Sequence, residues 1–115
     1  MKLWEAILAG CDVTGKANEA YLRIDIDGSI LACALGAACI GLGAITIPQI
    51  TDKFIATNTV YGRILDFFPN DTLDMFVCHP ETNEYDKLYD VIVDLNDRCM
   101  WEREKIADWL KGLDV

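Results

Sequence analysis

One histidine and two cysteines have the chemistry of metal ligands. Cys78 and His79 are adjacent, and Cys99 follows later in the chain. A tetrahedral zinc site needs four ligands that normally come as closely spaced pairs, and that spacing is missing here. His79-Pro80-Glu81 matches half of the zinc-deaminase signature, but the required Pro-Cys-x-x-Cys half is absent. The sequence therefore predicts no bound metal and no other cofactor.

Cys33 is the residue with a hint of nucleophilic chemistry. It precedes a run of small residues predicted to be helical, and a thiol at a helix N-terminus can have a lowered pKa. A serine or cysteine nucleophile also needs a base, and the chain has one histidine and no Gly-x-Ser-x-Gly turn. Gly36, Gly41 and Gly43 lack the spacing of a phosphate-binding loop. We therefore expect no catalytic residues, and the sequence favours a non-enzymatic protein over an enzyme.

Four aspartates form the most distinctive charged pattern. They are Asp86, Asp90, Asp94 and Asp97. On a helical wheel their carboxylates fall within roughly 80° of one another. The opposite side of the wheel is apolar and consists of Leu88, Val91, Ile92 and Leu95. Two interpretations stay open: an ordinary solvated helix face, or a contact surface for a basic partner protein.

A second site hypothesis concerns the small-residue run. A pocket near Cys33, Gly36 and Asp97 would make the protein a ligand-binding protein or a small enzyme. The two hypotheses place different demands on the structure. A pocket lined by these residues, with a perturbed cysteine, favours ligand binding, whereas a flat acidic face favours a protein partner.

The small-residue run is predicted to be the central element of the fold. Residues 33–42 are small or apolar throughout, and a helix that is apolar all round is buried. Gly36 and Gly41 each cost a helix roughly 1 kcal/mol relative to alanine, so their presence predicts that another backbone passes close to them. Gly43 is well placed to end this helix in the left-handed conformation.

An alternating stretch before this helix predicts a β-hairpin. Residues 21–26 alternate between apolar and polar side chains, as a half-buried strand does, with Ile26 on the apolar face. Asp27-Gly28 is a strong signal for a two-residue turn, which predicts a hairpin over about residues 21–32. The combined pattern predicts a single α+β domain, mostly helical, that spans residues 1–115.

Helical periodicity recurs at both ends of the chain. The faces predicted to be buried are Trp4, Ile7, Leu8 and Cys11 in the first helix and Ile106, Leu110 and Leu113 in the last. Residues 44–83 are ambiguous. The clearest signal among them is a helix that starts at Thr59 and ends before Pro69. Its predicted inner face is Val60, Ile64, Phe67 and Phe68.

Composition limits the possible partners and surroundings. The 115 residues carry a net charge of −9 and a pI near 4.3, whereas binding to nucleic acid through phosphates needs clustered Lys and Arg. The charge-free span from Gly28 to Thr51 contains Pro48 and has no basic flank, so we expect no membrane span. The N-terminus lacks the pattern of a secretory signal. The five cysteines are odd in number and lie mostly among apolar neighbours, which predicts reduced thiols in a cytoplasmic protein.

Three motifs together resemble a family of small uncharacterised bacterial and phage proteins. They are the Cys33-Ala-Leu-Gly-Ala-Ala38 run, Leu95-Asn96-Asp97, and Trp101-x-Arg103-Glu104-Lys-Ile-Ala-Asp-Trp-Leu110. The resemblance covers most of residues 20–112. The leading hypothesis for this chain is a non-enzymatic binding or accessory protein of phage or mobile-element type. The chain departs from the family pattern at Cys78-His79-Pro80, where members often have a Cys-Pro-type cysteine pair, and at Glu102, where they have a capping Ser or Thr. The family has no assigned activity, so the resemblance implies no catalytic role for any residue.

Overall fold

The computed structural model describes residues 1–18, 21–45, 62, 64–68 and 70–115. The start of the helix predicted from Thr59, and its predicted stop at Pro69, lie outside these residues. Three residues of its predicted inner face are described. Ile64 and Phe68 are buried as expected, whereas Phe67 is half exposed.

Five helices with both ends among the described residues and two small sheets make up the fold, and residues 62, 64 and 65 are also helical. The helices are α1 (Leu3–Cys11), α2 (Ala34–Gly41), α3 (Asn70–Leu73), α4 (Leu88–Asp97) and α5 (Arg103–Gly112). The strands are β1 (Gly15–Lys16), β2 (Leu22–Ile24), β3 (Ile30–Ala32), β4 (Phe76–Cys78) and β5 (Tyr85–Lys87). The first sheet has the order β1-β3-β2, with β1 parallel and β2 antiparallel to β3, and β4 pairs antiparallel with β5. The predicted α+β class is therefore confirmed.

Helix α2 lies at the centre of the fold and touches its neighbours backbone to backbone. A Cβ atom built on Gly41 would lie 2.0 Å from the carbonyl oxygen of Ala6 in α1. On Gly36 it would lie 1.9 Å from the carbonyl oxygen of Tyr21. Such distances are far below a normal contact, so both predictions of close backbone approach are confirmed. Gly43 has a φ of 71°, which confirms the left-handed end of the helix.

The predicted hairpin is present, but its turn is longer than expected. Strands β2 and β3 pair from Leu22 to Ile24, and the N–H of Asp25 then donates to the carbonyl of Ser29 at 2.8 Å. The loop therefore has three residues and places Gly28 at a φ of 87°. Because Ile26 is the first residue of this loop, it is fully exposed, and its predicted place on the apolar face was wrong.

The buried faces of the terminal helices differ in part from the prediction. In α1 the buried residues are Leu3, Ala6, Ile7 and Gly10, whereas Trp4, Leu8 and Cys11 are only partly buried. The face is shifted because α2 comes closest to the small residues of α1, where its backbone can pass. In α5 the predicted Ile106 and Leu110 are buried, but Leu113 follows the end of the helix and is 38% exposed.

One hydrophobic core connects the elements from the first helix to the last. It includes Leu3 of α1, most of α2 and Leu110 of α5. The predicted stripe of α4 is buried in it throughout, at Leu88, Val91, Ile92 and Leu95. Among the described residues, no helix is both long and apolar enough to cross a bilayer.

Candidate functional site

A cluster of polar side chains lies where the loop after β4 packs against α4. His79 follows β4 directly and is only 5% exposed. Asp94 and Arg98 are one turn apart on the exposed side of α4 and at its C-terminal cap. The Nε2 atom of His79 lies 2.8 Å from Oδ2 of Asp94. The short β4–β5 hairpin thus places His79, the only histidine of the chain, beside the carboxylate of Asp94 in α4.

The hydrogen bonds of His79 assign its tautomer. Its Nδ1 atom accepts from the backbone N–H groups of Glu81 and Thr82, at 3.1 and 3.2 Å. A nitrogen that accepts two N–H donors carries no proton, so the ring proton is on Nε2 and is donated to Asp94. Both ring nitrogens are occupied. His79 therefore has no free lone pair with which to act as a general base.

Asp94 is held on its other side by Arg98. The Nε atom of Arg98 donates to Oδ1 at 2.8 Å and its Nη2 donates to Oδ2 at 2.8 Å, which is the bidentate geometry favoured for this pair. The Arg98 hydrogen bonds, and secondarily the bond from His79, lower the pKa of Asp94 to about 2 against the opposing effect of burial. Asp94 is therefore a carboxylate whose charge is already paired within the chain.

The same cluster contains the ligand-type atoms of a possible metal site. Ligand atoms of His79, Asp94 and Cys99 lie within 4.8 Å of one another. The sequence suggests Cys78 beside His79 and Cys99, but Cys78 is exposed and does not belong to this group, whereas Asp94 does. A metal on Nε2 would move the ring proton to Nδ1, where it would face the two N–H donors. Burial also raises the pKa of the Cys99 thiol to about 11, which disfavours the thiolate that metals bind. The tautomer of His79 and the protonated thiol of Cys99 are therefore unfavourable for binding a metal ion at these three residues.

An open groove of about 380 Å³ extends from this cluster along α4. Its lining residues are His79, Thr82, Glu84, Asp86, Asp90, Val91, Asp94 and Arg98. Three of its carboxylates are exposed, namely those of Glu84, Asp86 and Asp90. Within the described part of the chain, no Lys or Arg side chain forms an ion pair with these three. We call this feature the acidic groove.

The structure divides the predicted row of four aspartates. Asp86 lies in β5 and precedes the helix, so its predicted place on the helical wheel was wrong. It still reaches the acidic groove together with Asp90 and Asp94, because β5 leads directly into α4. Asp97 instead lines a separate cavity on another side of the helix. Glu84 belongs to the groove and was missed, because the sequence did not reveal the β4–β5 hairpin that brings it there.

The second cavity contains two of the three residues predicted for a ligand pocket. It measures about 70 Å³, and its lining residues are Tyr21, Cys33, Ala34, Leu35, Ile92, Val93, Asn96 and Asp97. Cys33 and Asp97 are therefore brought together as predicted. Gly36 is not among the lining residues, because the backbone of Tyr21 covers it.

The environment of Cys33 makes it an inert thiol. Cys33 caps α2, and its Sγ atom accepts from the N–H of Gly36 at 3.4 Å. Burial nevertheless raises the pKa of the Cys33 thiol to about 11, against the opposing effect of this hydrogen bond. At neutral pH the residue is protonated, so it is perturbed in the direction opposite to that of a nucleophile.

Asn96 is a buried polar residue whose role the sequence did not indicate. Its Oδ1 accepts from the N–H of Ala34 at the start of α2, at 3.2 Å, and its Nδ2 donates to the carbonyl of Ala17 at 3.0 Å and to Asp97 at 2.7 Å. It thus joins α4 to the central helix and to the chain after β1. The signal available was its position beside Leu95, next to the apolar stripe, where a polar residue needs a partner.

Comparison of the chain with protein-family models, with curated proteins and with solved structures found no match. The resemblance carried by the Cys33, Leu95 and Trp101 motifs therefore stays a prediction.

Proposed function

We propose that this protein is a non-enzymatic binding protein whose acidic groove recognises a basic segment of a partner protein. The observation that carries the proposal is the convergence of Glu84, Asp86 and Asp90 on one groove, where none of the three forms an ion pair with a described Lys or Arg side chain. Oppositely charged surfaces steer partners together and select against wrong ones. Asp94 contributes to the groove as a carboxylate already paired with Arg98, and Asp97 is left out of the proposed surface.

The Asp94–Arg98 pair supports recognition of a guanidinium group in the groove. A guanidinium group already lies at one end of it, bound through two parallel hydrogen bonds. The groove volume of about 380 Å³ lies within the range of roughly 300–1,000 Å³ that is common for ligand sites. Lys and Arg side chains of a partner would meet the remaining carboxylates at the exposed part of the same groove.

The wider biological assignment is part of the proposal. The motif resemblance supports an accessory protein of phage or mobile-element type. All five cysteines are free thiols, which supports a reducing compartment such as the cytoplasm. The net charge of −9 supports a basic protein partner and argues against direct contact with nucleic acid.

Ligand binding in the Cys33 cavity is the second candidate function. It is favoured by one observation, that Cys33 and Asp97 line the same small cavity. The volume of about 70 Å³ restricts a ligand to a few heavy atoms. The raised pKa of Cys33 argues for binding without covalent chemistry.

Charge removal in the groove tests the main proposal. The variant Glu84→Gln, Asp86→Asn, Asp90→Asn should lose a basic partner captured from a host lysate and identified by mass spectrometry. Binding of that partner to the parent protein should weaken steeply between 50 and about 500 mM salt, because the charges are screened within about 10 Å at 0.1 M ionic strength. The fold should remain intact, since all three side chains are exposed.

A matched control separates groove recognition from general acidity. The variant Asp12→Asn, Glu102→Gln, Asp108→Asn removes the same number of charges from exposed positions outside the groove lining. It should capture the partner as well as the parent protein does. Equal loss of the partner in both variants would mean that net charge, and not the groove, determines binding.

A further inference from the structure

The rim of the acidic groove is a short loop folded around one imidazole ring. Residues 79–84 connect β4 to β5, with the N–H of His79 donating to the carbonyl of Glu84 at 2.8 Å. The N–H of Asn83 donates back to the carbonyl of His79 at 2.9 Å. Thr82 and Glu84 from this loop line the groove. The position of the rim therefore depends on the bonds that His79 makes.

Two of those bonds exist only while His79 is neutral. Its Nδ1 atom accepts from the N–H groups of Glu81 and Thr82, at 3.1 and 3.2 Å. The imidazolium form carries a proton on each ring nitrogen, so a proton on Nδ1 would point at two N–H donors. Uptake of one proton thus breaks both bonds to the loop, while the Nε2 bond to Asp94 survives.

We propose that His79 is a pH-sensitive latch of the acidic groove. A proton on Nδ1 frees the backbone N–H groups of Glu81 and Thr82, and the rim of the groove loosens at Thr82. The backbone bonds that His79 makes with Asn83 and Glu84 remain. The effect on partner binding rests on the function proposed above. The loosening of the loop at Glu81 and Thr82 does not, because it follows from the loss of the two bonds to Nδ1.

Charged groups of both signs surround His79. Those that face it from α4, from the loop and from the residue after α4 are Asp94, Arg98, Glu81 and Cys99, and the other carboxylates of the groove are Glu84, Asp86 and Asp90. Arg98 pairs with both oxygens of Asp94. The two N–H donors then remain as the specific contacts that distinguish the neutral ring from the charged one.

Amide hydrogen exchange of the full chain, resolved by NMR, tests the latch. After correction for intrinsic exchange, the Glu81 and Thr82 amides should exchange about tenfold faster or more at pH 5 than at pH 7.5. Amides in the middle of α2 should show no such change. The ¹⁵N spectrum of the imidazole should show the Nε2–H tautomer at pH 7.5 and a doubly protonated ring when the loop amides lose protection.

The variant His79→Asn provides a control that cannot titrate. Its side-chain oxygen can take the position of Nδ1 and accept from the same two N–H groups at every pH. Its loop amides should stay protected at pH 5. An Nδ1–H tautomer at neutral pH, or a protonated ring with undiminished protection at Glu81 and Thr82, would overturn the latch.

Binding of a defined probe separates the latch from the proposed function. The probe is a hexa-arginine peptide, followed by fluorescence anisotropy with the parent protein and with His79→Asn at both pH values. Parent affinity should fall about tenfold between pH 7.5 and pH 5, and that of the variant should not. If the amides respond to pH but the probe binds neither protein, the latch stands and the proposed function fails. If the probe binds at both pH values with unchanged amides, the function stands and the latch fails.

Discussion

Replacing Gly41 by alanine is expected to destabilise the protein by about 3 kcal/mol or more, a large part of the roughly 5–15 kcal/mol that stabilises a typical domain. The new Cβ would lie 2.0 Å from the carbonyl oxygen of Ala6 and 3.0 Å from the amide nitrogen of Gly10. These atoms belong to the backbone of α1, so no side chain can turn aside to make room. The two helices would have to separate, which opens the core between them.

Gly112→Ala is the matched control for this substitution. Gly112 is the last residue of α5, and a Cβ there would meet nothing within 4 Å. Because alanine is the better helix former, this change should be neutral or stabilise by up to about 1 kcal/mol. Denaturant unfolding of the two variants measures the contrast. Similar midpoints for Gly41→Ala and the parent protein would show that α1 and α2 are not in backbone contact.

The second large effect is expected from Asn96→Ala, which should cost about 2–3 kcal/mol. The side chain is 1% exposed and bonds to the N–H of Ala34 and the carbonyl of Ala17. Alanine would leave both backbone groups buried without these partners and would open space beside the Cys33 cavity. The exposed Asn18→Ala is the control and should change the free energy of unfolding by less than about 0.5 kcal/mol.

Thermal and denaturant unfolding of these two asparagine variants gives the comparison. Equal stability of Asn96→Ala and Asn18→Ala would mean that water replaces the lost bonds. In that case Asn96 would not hold α4 to the central helix.

The sequence predicted those parts of the fold in which one periodicity dominates. The stripe from Leu88 to Leu95 has the spacing of a helix face, and the glycines of the small-residue run indicated that another backbone passes close to Gly36 and Gly41. The three-residue turn at Gly28 was missed because Asp-Gly serves several turn lengths. The shift of the buried face in α1 was missed because it depends on where α2 crosses, which no local pattern records.

The candidate site was harder to predict because long-range pairing creates it. Strands β4 and β5 have three residues each, too few for an alternating pattern to be recognised, yet they bring Glu84 and Asp86 beside Asp90. The adjacent Cys78 and His79 have the side-chain chemistry of metal ligands, which the sequence does show. The bonds that define the role of His79 come from Asp94 and from backbone groups, which carry no sequence signature.

The central claim is that the acidic groove is the recognition surface of this protein. The most direct test is an NMR titration of the ¹⁵N-labelled full chain with hexa-arginine at pH 7.5 and low salt. We expect the chemical shifts of residues 79–98 to change in the parent protein. The Glu84→Gln, Asp86→Asn, Asp90→Asn variant should lose these changes. The Asp12→Asn, Glu102→Gln, Asp108→Asn variant should keep them. Shift changes spread evenly over all acidic surfaces, or retained by the groove variant, would contradict the central claim.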